Sequence, residues 1–278
     1  MKKRLMALLL LTGLLSAALT GCGGGSTEQA SEDGQTADGS TEARAQANEI
    51  VVGIAQDLDE SLDPHLAVAA GTKEVMFNVF EGLVKPTPDG DLVPAVADHY
   101  EISEDQTTYT FTLRESSWSV QTSRSDDNLW KSPTPVTAQD FVFGMQRAVL
   151  PETGSALAQE LYGIEHAEEI NRGERPVSDL GVRAVDENTL VITLVEPDDD
   201  FPKKTASTPY MPCNEAFFEH TGGRYGLEAE YVLTNGPFYV KSWLHGESIT
   251  LAKNDGYHDA AAILPASVRF LMQAPDDP

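Results

Sequence analysis

The residues of this chain that could do chemistry do not assemble into a catalytic pattern. The six histidines are His65, His99, His166, His220, His245 and His258. None of them stands in the H-x-x-x-H spacing that puts two ring nitrogens on one helix face for zinc. Cys22 and Cys213 lie far apart, so neither a disulfide framework nor a cysteine zinc site is expected, and Cys213 reads as a free, partly buried thiol with no histidine context to activate it. Neither a phosphate-cradling G-x-x-x-x-G-K nor a G-x-S-x-G elbow occurs. Asp57/Asp59 and Glu168/Glu169 have the residue types of a glycosidase pair, but in a chain with 44 acidic residues such neighbours carry no evidence of a pocket. The run Asp198-Asp199-Asp200 lacks the alternation, glycine and distal glutamate of a calcium loop and reads as a solvated turn. The expectation is a protein that is not an enzyme and uses no metal or cofactor.

Composition agrees with a folded chain that does not bind polyanions. With 278 residues, 41% hydrophobic and 23% charged, there is enough apolar material for one or two cores. The formal net charge of −25 provides no basic patch to neutralise phosphates, which excludes nucleic acid and electrostatic adhesion to anionic lipid.

One cysteine does have an assigned chemistry. Lys2, Lys3 and Arg4 precede an apolar run over 5–19 that ends in Leu19-Thr20-Gly21-Cys22. The run is short for a membrane span and closes on small residues, as a cleaved signal does. The pattern matches a bacterial lipoprotein signal over 1–21, with Cys22 as the lipidated residue. The segment 22–47 then has no aromatic and no β-branched aliphatic residue. It cannot bury enough surface to offset ordering and reads as a disordered acidic tether.

The remaining chain alternates strand and helix signals. A β-branched run over 50–55 predicts a buried strand. After Leu62-Asp63-Pro64, Thr72 occupies an N-cap position, with Val75, Met76, Val79, Phe80 and Leu83 at helical spacing behind it. Residues 107–114 alternate, placing Tyr109, Phe111 and Leu113 on the buried face. Thr137 and Asp140 form a variant capping box for a helix that Pro151 ends. Residues 155–170 read as another helix, and 182–185 and 190–195 as a hairpin. Asn214 opens a short helix closed by Gly222-Gly223. Asn235-Gly236-Pro237 turns sharply into a strand over 238–243, followed by strands over 248–252 and 267–272.

The wording is more specific than the pattern. The stretches SLDPHLA, NVFEGLV, PAVADHYEIS-DQTTYTFTLR, PVTAQDFVFGMQR, TNGPFYVKSW and KNDGYHD follow one another from residue 49 onward. In this order they resemble the family-5 extracellular solute-binding proteins, the oligopeptide- and dipeptide-binding proteins of ABC importers. The resemblance implies a mixed α/β fold, the first lobe of a two-lobed periplasmic-binding-protein-like architecture, with an inserted small β-rich subdomain. Lobe I would comprise 48–80 plus 213–278, the inserted subdomain 81–212, and the second lobe would be missing, so that the sequence represents a truncated or fragmentary copy. It also implies a monomer on the outer face of a bacterial membrane, with a peptide as ligand and an ABC permease as partner. Ligand-facing positions would be Val68, Ala69 and Ala70 in the loop after Pro64, and Leu157, which stands where relatives carry a tyrosine. An insertion over 119–135, with Trp130 near its end, replaces a brief turn. Within the resemblance the ligand could instead be nickel, haem or a sugar. A surface lipoprotein acting as an interaction or sensing module is the alternative from another class.

Overall fold

The computed structural model describes residues 48–54, 58–59, 61–119 and 133–272. The signal, Cys22, the tether, Asp57, Trp130, nearly all of the 119–135 insertion and the final six residues lie outside these segments. No helix among the described residues is long and apolar enough to cross a membrane.

Two four-stranded sheets and a small ribbon organise the described residues. The first sheet takes its strands from the two ends of the described sequence: β1 (Glu49–Ile54), β8 (Phe238–Leu244), β9 (Ser248–Lys253) and β10 (Ser267–Met272), in the order β1-β10-β9-β8. β1 runs parallel to β10, in the register Ile50↔Val268 and Val52↔Phe270. The other two pairings are antiparallel. The second sheet comes from the middle of the chain: β4 (Ala97–Ile102), β5 (Thr108–Leu113), β6 (Val182–Asp186) and β7 (Thr189–Thr193), in the order β4-β5-β7-β6. The ribbon pairs β2 (Val84–Pro86) with β3 (Leu92–Pro94). The strand positions follow the alternation of the sequence. In β5 Tyr109, Phe111 and Leu113 are buried while the intervening threonines are half-buried, as period-2 patterning requires.

Among the described residues, five helices pack on this frame: α1 (Ala70–Val79), α2 (Ala138–Val149), α3 (Ala167–Asn171), α4 (Phe201–Lys204) and α5 (Glu215–His220). α2 begins as its sequence predicts. The Asp140 carboxylate accepts the Thr137 N–H at 2.8 Å, and also takes the Trp118 indole N–H at 3.3 Å and an Asn214 amide N–H at 3.2 Å. One capping side chain thus ties α2 to the loop before it and to the N-cap of α5, where Asn214 accepts from Phe217 N–H. The core is continuous, running from Ile54 and Met76 through Phe111, Phe141 and Phe201 to Phe238 and Phe270.

Four expectations need correction. The strand expected to be buried over 50–55 is β1 at the edge of its sheet, and within it only Ile54 is buried. α1 starts at Ala70 rather than behind a Thr72 cap. Phe80 and Leu83 are buried but lie beyond its end, where Phe80 is already extended. The predicted helix over 155–170 is broken into a 3-10 turn, Ala158–Leu161, and the short α3. His166 stands between them in the left-handed region at φ 65°, a conformation that interrupts a right-handed helix.

Candidate functional site

The predicted ligand-facing residues fall on two adjacent segments. The loop 61–69 leads into α1, and its extended end carries Val68, half exposed at 51%, Ala69 at the N-cap and Ala70 at the first helical position. Ala69 has no side chain with which to cap. The cap comes instead from ten residues upstream: Asp59 Oδ2 accepts the N–H groups of both Val68 and Ala69 at 2.9 Å. The Asp59 N–H in turn donates to Thr72 Oγ1 at 2.7 Å. A carboxylate on those orphan N–H groups also suits the positive end of the helix dipole. Asp59, which resembled half of a catalytic pair, is therefore the group that holds this lip in shape.

The second segment reaches the lip through Ser155. Its hydroxyl donates to the His65 carbonyl at 2.5 Å and accepts the Leu157 N–H at 3.1 Å. Leu157 is buried at 6% exposure, so its backbone braces the loop while its side chain packs inward. Tyr162 is half-buried, and its hydroxyl donates to Asn171 Oδ1 at 2.7 Å.

Beneath the lip lies a buried polar cluster that the sequence does not announce. Arg147 Nη2 of α2 donates to Asp63 Oδ2 at 2.7 Å, Arg147 Nη1 donates towards Asp63 Oδ1 at 3.3 Å, and the guanidinium carbon sits 3.9 Å above the Phe218 ring. His65, fully buried, has Nε2 at 3.1 Å from the Met211 carbonyl, and Nδ1 at 3.1 Å from Arg147 Nη1 and 3.2 Å from Asp63 Oδ1. The carbonyl facing Nε2 can only accept, whereas Nδ1 lies between a carboxylate that accepts and a guanidinium that donates. Burial drives the His65 pKa down and keeps the ring neutral, outweighing the attraction of Asp63. Burial alone would raise the Asp63 carboxyl, but the His65 contact and the Arg147 charge hold it well below the usual carboxylate range. Cys213, fully buried rather than partly so, has its thiol pushed up to about 12 by burial. An Asp, a His and a Cys therefore stand together without catalytic capacity, because both imidazole nitrogens are engaged and the thiol is neither exposed nor ionised.

A second cluster closes the far end of α1. Glu81, 5% exposed, accepts from Lys85 Nζ at 2.8 Å, from His258 Nε2 at 2.6 Å and from the Tyr257 hydroxyl. Burial opposes its ionisation, yet these three donors lower its pKa. The Asn235 side chain takes the Glu81 backbone on both sides, accepting its N–H at 3.1 Å and donating to its carbonyl at 2.8 Å. Gly236 N–H donates to Val79 O at 2.9 Å, which ends α1. An added Cβ on Gly236 would stand 2.6 Å from the Val79 carbonyl carbon, so the close approach requires glycine. The N-G-P turn is a structural clasp. Beside it lies a cavity of about 350 Å³ lined by Phe77, Phe80, Glu81, Lys85, Met211 and Tyr257.

The exposed, extended lip thus stands on a cross-braced framework whose buried ionisable groups contact one another. The comparisons with known proteins identify the family. Residues 91–277 match the model of bacterial extracellular solute-binding proteins, family 5, middle region, and the chain belongs to that family. It is 35% identical over 212 residues to the oligopeptide-binding protein OppA of Bacillus subtilis, covering 76% of this chain and 37% of the relative. It is 30% identical over 258 residues to the dipeptide-binding protein DppE of the same organism, covering 93% and 44%. Among solved structures, Listeria monocytogenes OppA bound to peptide superposes with a TM-score of 0.74 at 29% identity, covering 81% of this chain and 42% of that one. The Escherichia coli murein tripeptide-binding protein MppA gives 0.72 at 35% identity, over 81% and 42%. The fold is the mixed α/β fold of that family, and the chain spans less than half the length of the relatives it matches. The family is extracytoplasmic and its members bind solutes for transporters rather than catalyse reactions.

Proposed function

We propose that this chain is the first lobe, with its inserted subdomain, of a lipid-anchored extracytoplasmic protein that binds peptides and passes them to an ABC importer. The lip at Val68–Ala70 carries the reading. Its backbone is extended at Ala69, with φ −65° and ψ 138°, its shape is set from behind by Asp59, and it sits beside the segment braced by Ser155. An extended peptide laid along such an edge gains main-chain hydrogen bonds with little ordering of the protein, and side chains are left to solvated pockets. Val68, Ala69 and Ala70 are the proposed contact positions and Leu157 is a neighbouring one. Closure of a second lobe over the peptide would provide the differential affinity that transport needs. Cys22 is the proposed site of lipidation, the segment before Asn48 the tether, and a monomer the proposed state.

The test is titration calorimetry of the full-length gene product with a tri- to pentapeptide mixture, and with nickel, haem and oligosaccharides in parallel. Saturable heat with peptides alone is expected. Val68→Arg should weaken it about tenfold or more, an interface-scale cost of roughly 1.4 kcal/mol, without lowering Tm. Heat with one of the other ligands and none with peptides would move the reading to that solute. Labelled fatty acid should be incorporated by the natural protein and not by Cys22→Ser.

A further inference from the structure

Phe77 has no place in the buried stripe of α1. It stands on the helix face that also carries the exposed Ala70 and Glu74, three and four residues apart as neighbours on one face must be. The residue is 51% exposed. What it borders is the cavity of about 350 Å³ beside the N-G-P clasp, a volume at the small end of the roughly 300–1,000 Å³ of small-molecule sites.

Three observations say what this cavity would hold. First, its lining is mostly apolar. Phe80 and Met211, both almost fully buried, line it from below, while Phe77 and Pro237 remain partly open to solvent. Aromatic faces, a thioether and a proline ring suit a flat aromatic group. Second, the carboxylate among the lining residues is spent. The Glu81 side chain is 4% exposed and accepts from Lys85, His258 and the Tyr257 hydroxyl, so it offers nothing to a cationic ligand. Third, the ammonium is not spent. Lys85 Nζ is fixed at 2.8 Å from Glu81 Oε1 and 3.1 Å from the Tyr257 hydroxyl oxygen. An ammonium has three N–H groups, and the third finds no acceptor among the described residues on a side chain 44% exposed. An anionic oxygen placed there gains a charge-assisted hydrogen bond to a donor already held in position.

We propose that this cavity is a binding site for a small aromatic carboxylic acid. The ring packs against Phe77, Phe80 and Met211, and the carboxylate accepts from Lys85 Nζ. The site stands towards the C-terminal end of α1 and the lip at its N-terminal end. Ala70 and Phe77 are about 10 Å apart along the helix axis, so the cavity does not depend on what the lip binds.

The test is a titration of the full-length protein, ¹³C-labelled at its methionine methyls, with 3-phenylpropionate. It is read at the methyl of Met211, which Met211→Leu identifies. Met272, on β10 and outside the cavity lining, is the internal reference and should stay still. A saturable upfield Met211 shift from the added ring is expected. Phe77→Asp replaces an exposed lining ring with a repelling carboxylate and should weaken binding tenfold or more without lowering Tm. Lys85→Met should weaken it about tenfold, and 3-phenylpropanamide should bind about tenfold more weakly than the acid, as loss of the charge-assisted bond requires. Phenethylamine should give no shift, and Val68→Arg should leave the response to the acid as it was. The proposal is overturned by an unmoved Met211 methyl at millimolar acid, by an equal response to the amide or the amine, or by a response that survives Phe77→Asp. Loss of the response in Val68→Arg would tie the acid to the lip and overturn it as well.

Discussion

The carboxylate of Asp63 and the guanidinium of Arg147 meet at 2.7 Å with side-chain exposures of 3% and 7%, joining the loop that carries the proposed lip to α2 across 84 positions of sequence. Removing one partner leaves the other as an uncompensated buried charge, at a cost of about 3–5 kcal/mol. Arg147→Met should therefore lower urea-unfolding stability by that order. Asp63→Leu combined with Arg147→Met should recover a large part of the loss. A double variant as unstable as the sum of the singles would show that the pair is not coupled.

Acid should weaken the fold in two stages. His65 is held neutral in the folded protein below its ordinary 6.5, while the unfolded chain takes up that proton. Stability therefore falls as pH drops through about 6.5. Glu81 and Asp63 have folded values below their ordinary 4.5 and 3.8. Their contribution is present above those values and is lost as pH falls beneath them. Asp140, raised by burial, acts in the opposite sense and softens the second stage. Thermal unfolding from pH 8 to pH 3 should show both, and His65→Gln should flatten the first alone.

Gly236→Ala places a methyl group 2.6 Å from the Val79 carbonyl carbon. The obstruction is backbone and cannot swing aside, so an overpacking loss of roughly 1–3 kcal/mol is expected. The Gly236–Val79 hydrogen bond should be weakened with it, and faster amide exchange at Gly236 would report that directly. Gly90→Ala, at an open turn where an added Cβ meets nothing within 4 Å but φ is 88°, separates backbone strain from crowding.

Cys213 should be inert in the native protein. Its sulfur is fully buried and its thiol pushed up to about 12, so almost no thiolate exists at pH 8. Ellman's reagent should react at the unfolding rate in water and within seconds in denaturant. Fast labelling of the native fold would contradict the burial.

The parts of this structure set by local periodicity are legible in the sequence. β10 spans Ser267–Met272 as its alternation predicts, the Thr137/Asp140 box opens α2, and Asn235-Gly236-Pro237 marks a turn. What escapes is set by distant partners. Thr72 resembles a cap, but Asp59 performs the capping from the loop and frees the helix to begin earlier. Residues 155–170 have helical spacing, but the brace from Ser155 to His65 and the left-handed His166 break the run. Leu62-Asp63-Pro64-His65 reads as a polar turn because Arg147, which neutralises it, sits within a helix whose apolar stripe dominates the pattern. Val68-Ala69-Ala70 has no physical signature as a sequence, and only its resemblance to the family marks it.

The first strand among the described residues has a consequence for handling the protein. β1 borders its sheet with Ile50 and Val51 about half exposed, at 48% and 49%, on opposite faces. Such an edge invites lateral association, and at neutral pH mutual repulsion between molecules of charge −25 opposes it. That colloidal barrier disappears near the sequence isoelectric point of about 4.4 and is screened by salt at any pH. Purification should therefore stay well above pH 5 at modest ionic strength. Turbidity with a cross-β dye response is expected first in acidic, salty buffer, and Val51→Lys should delay it.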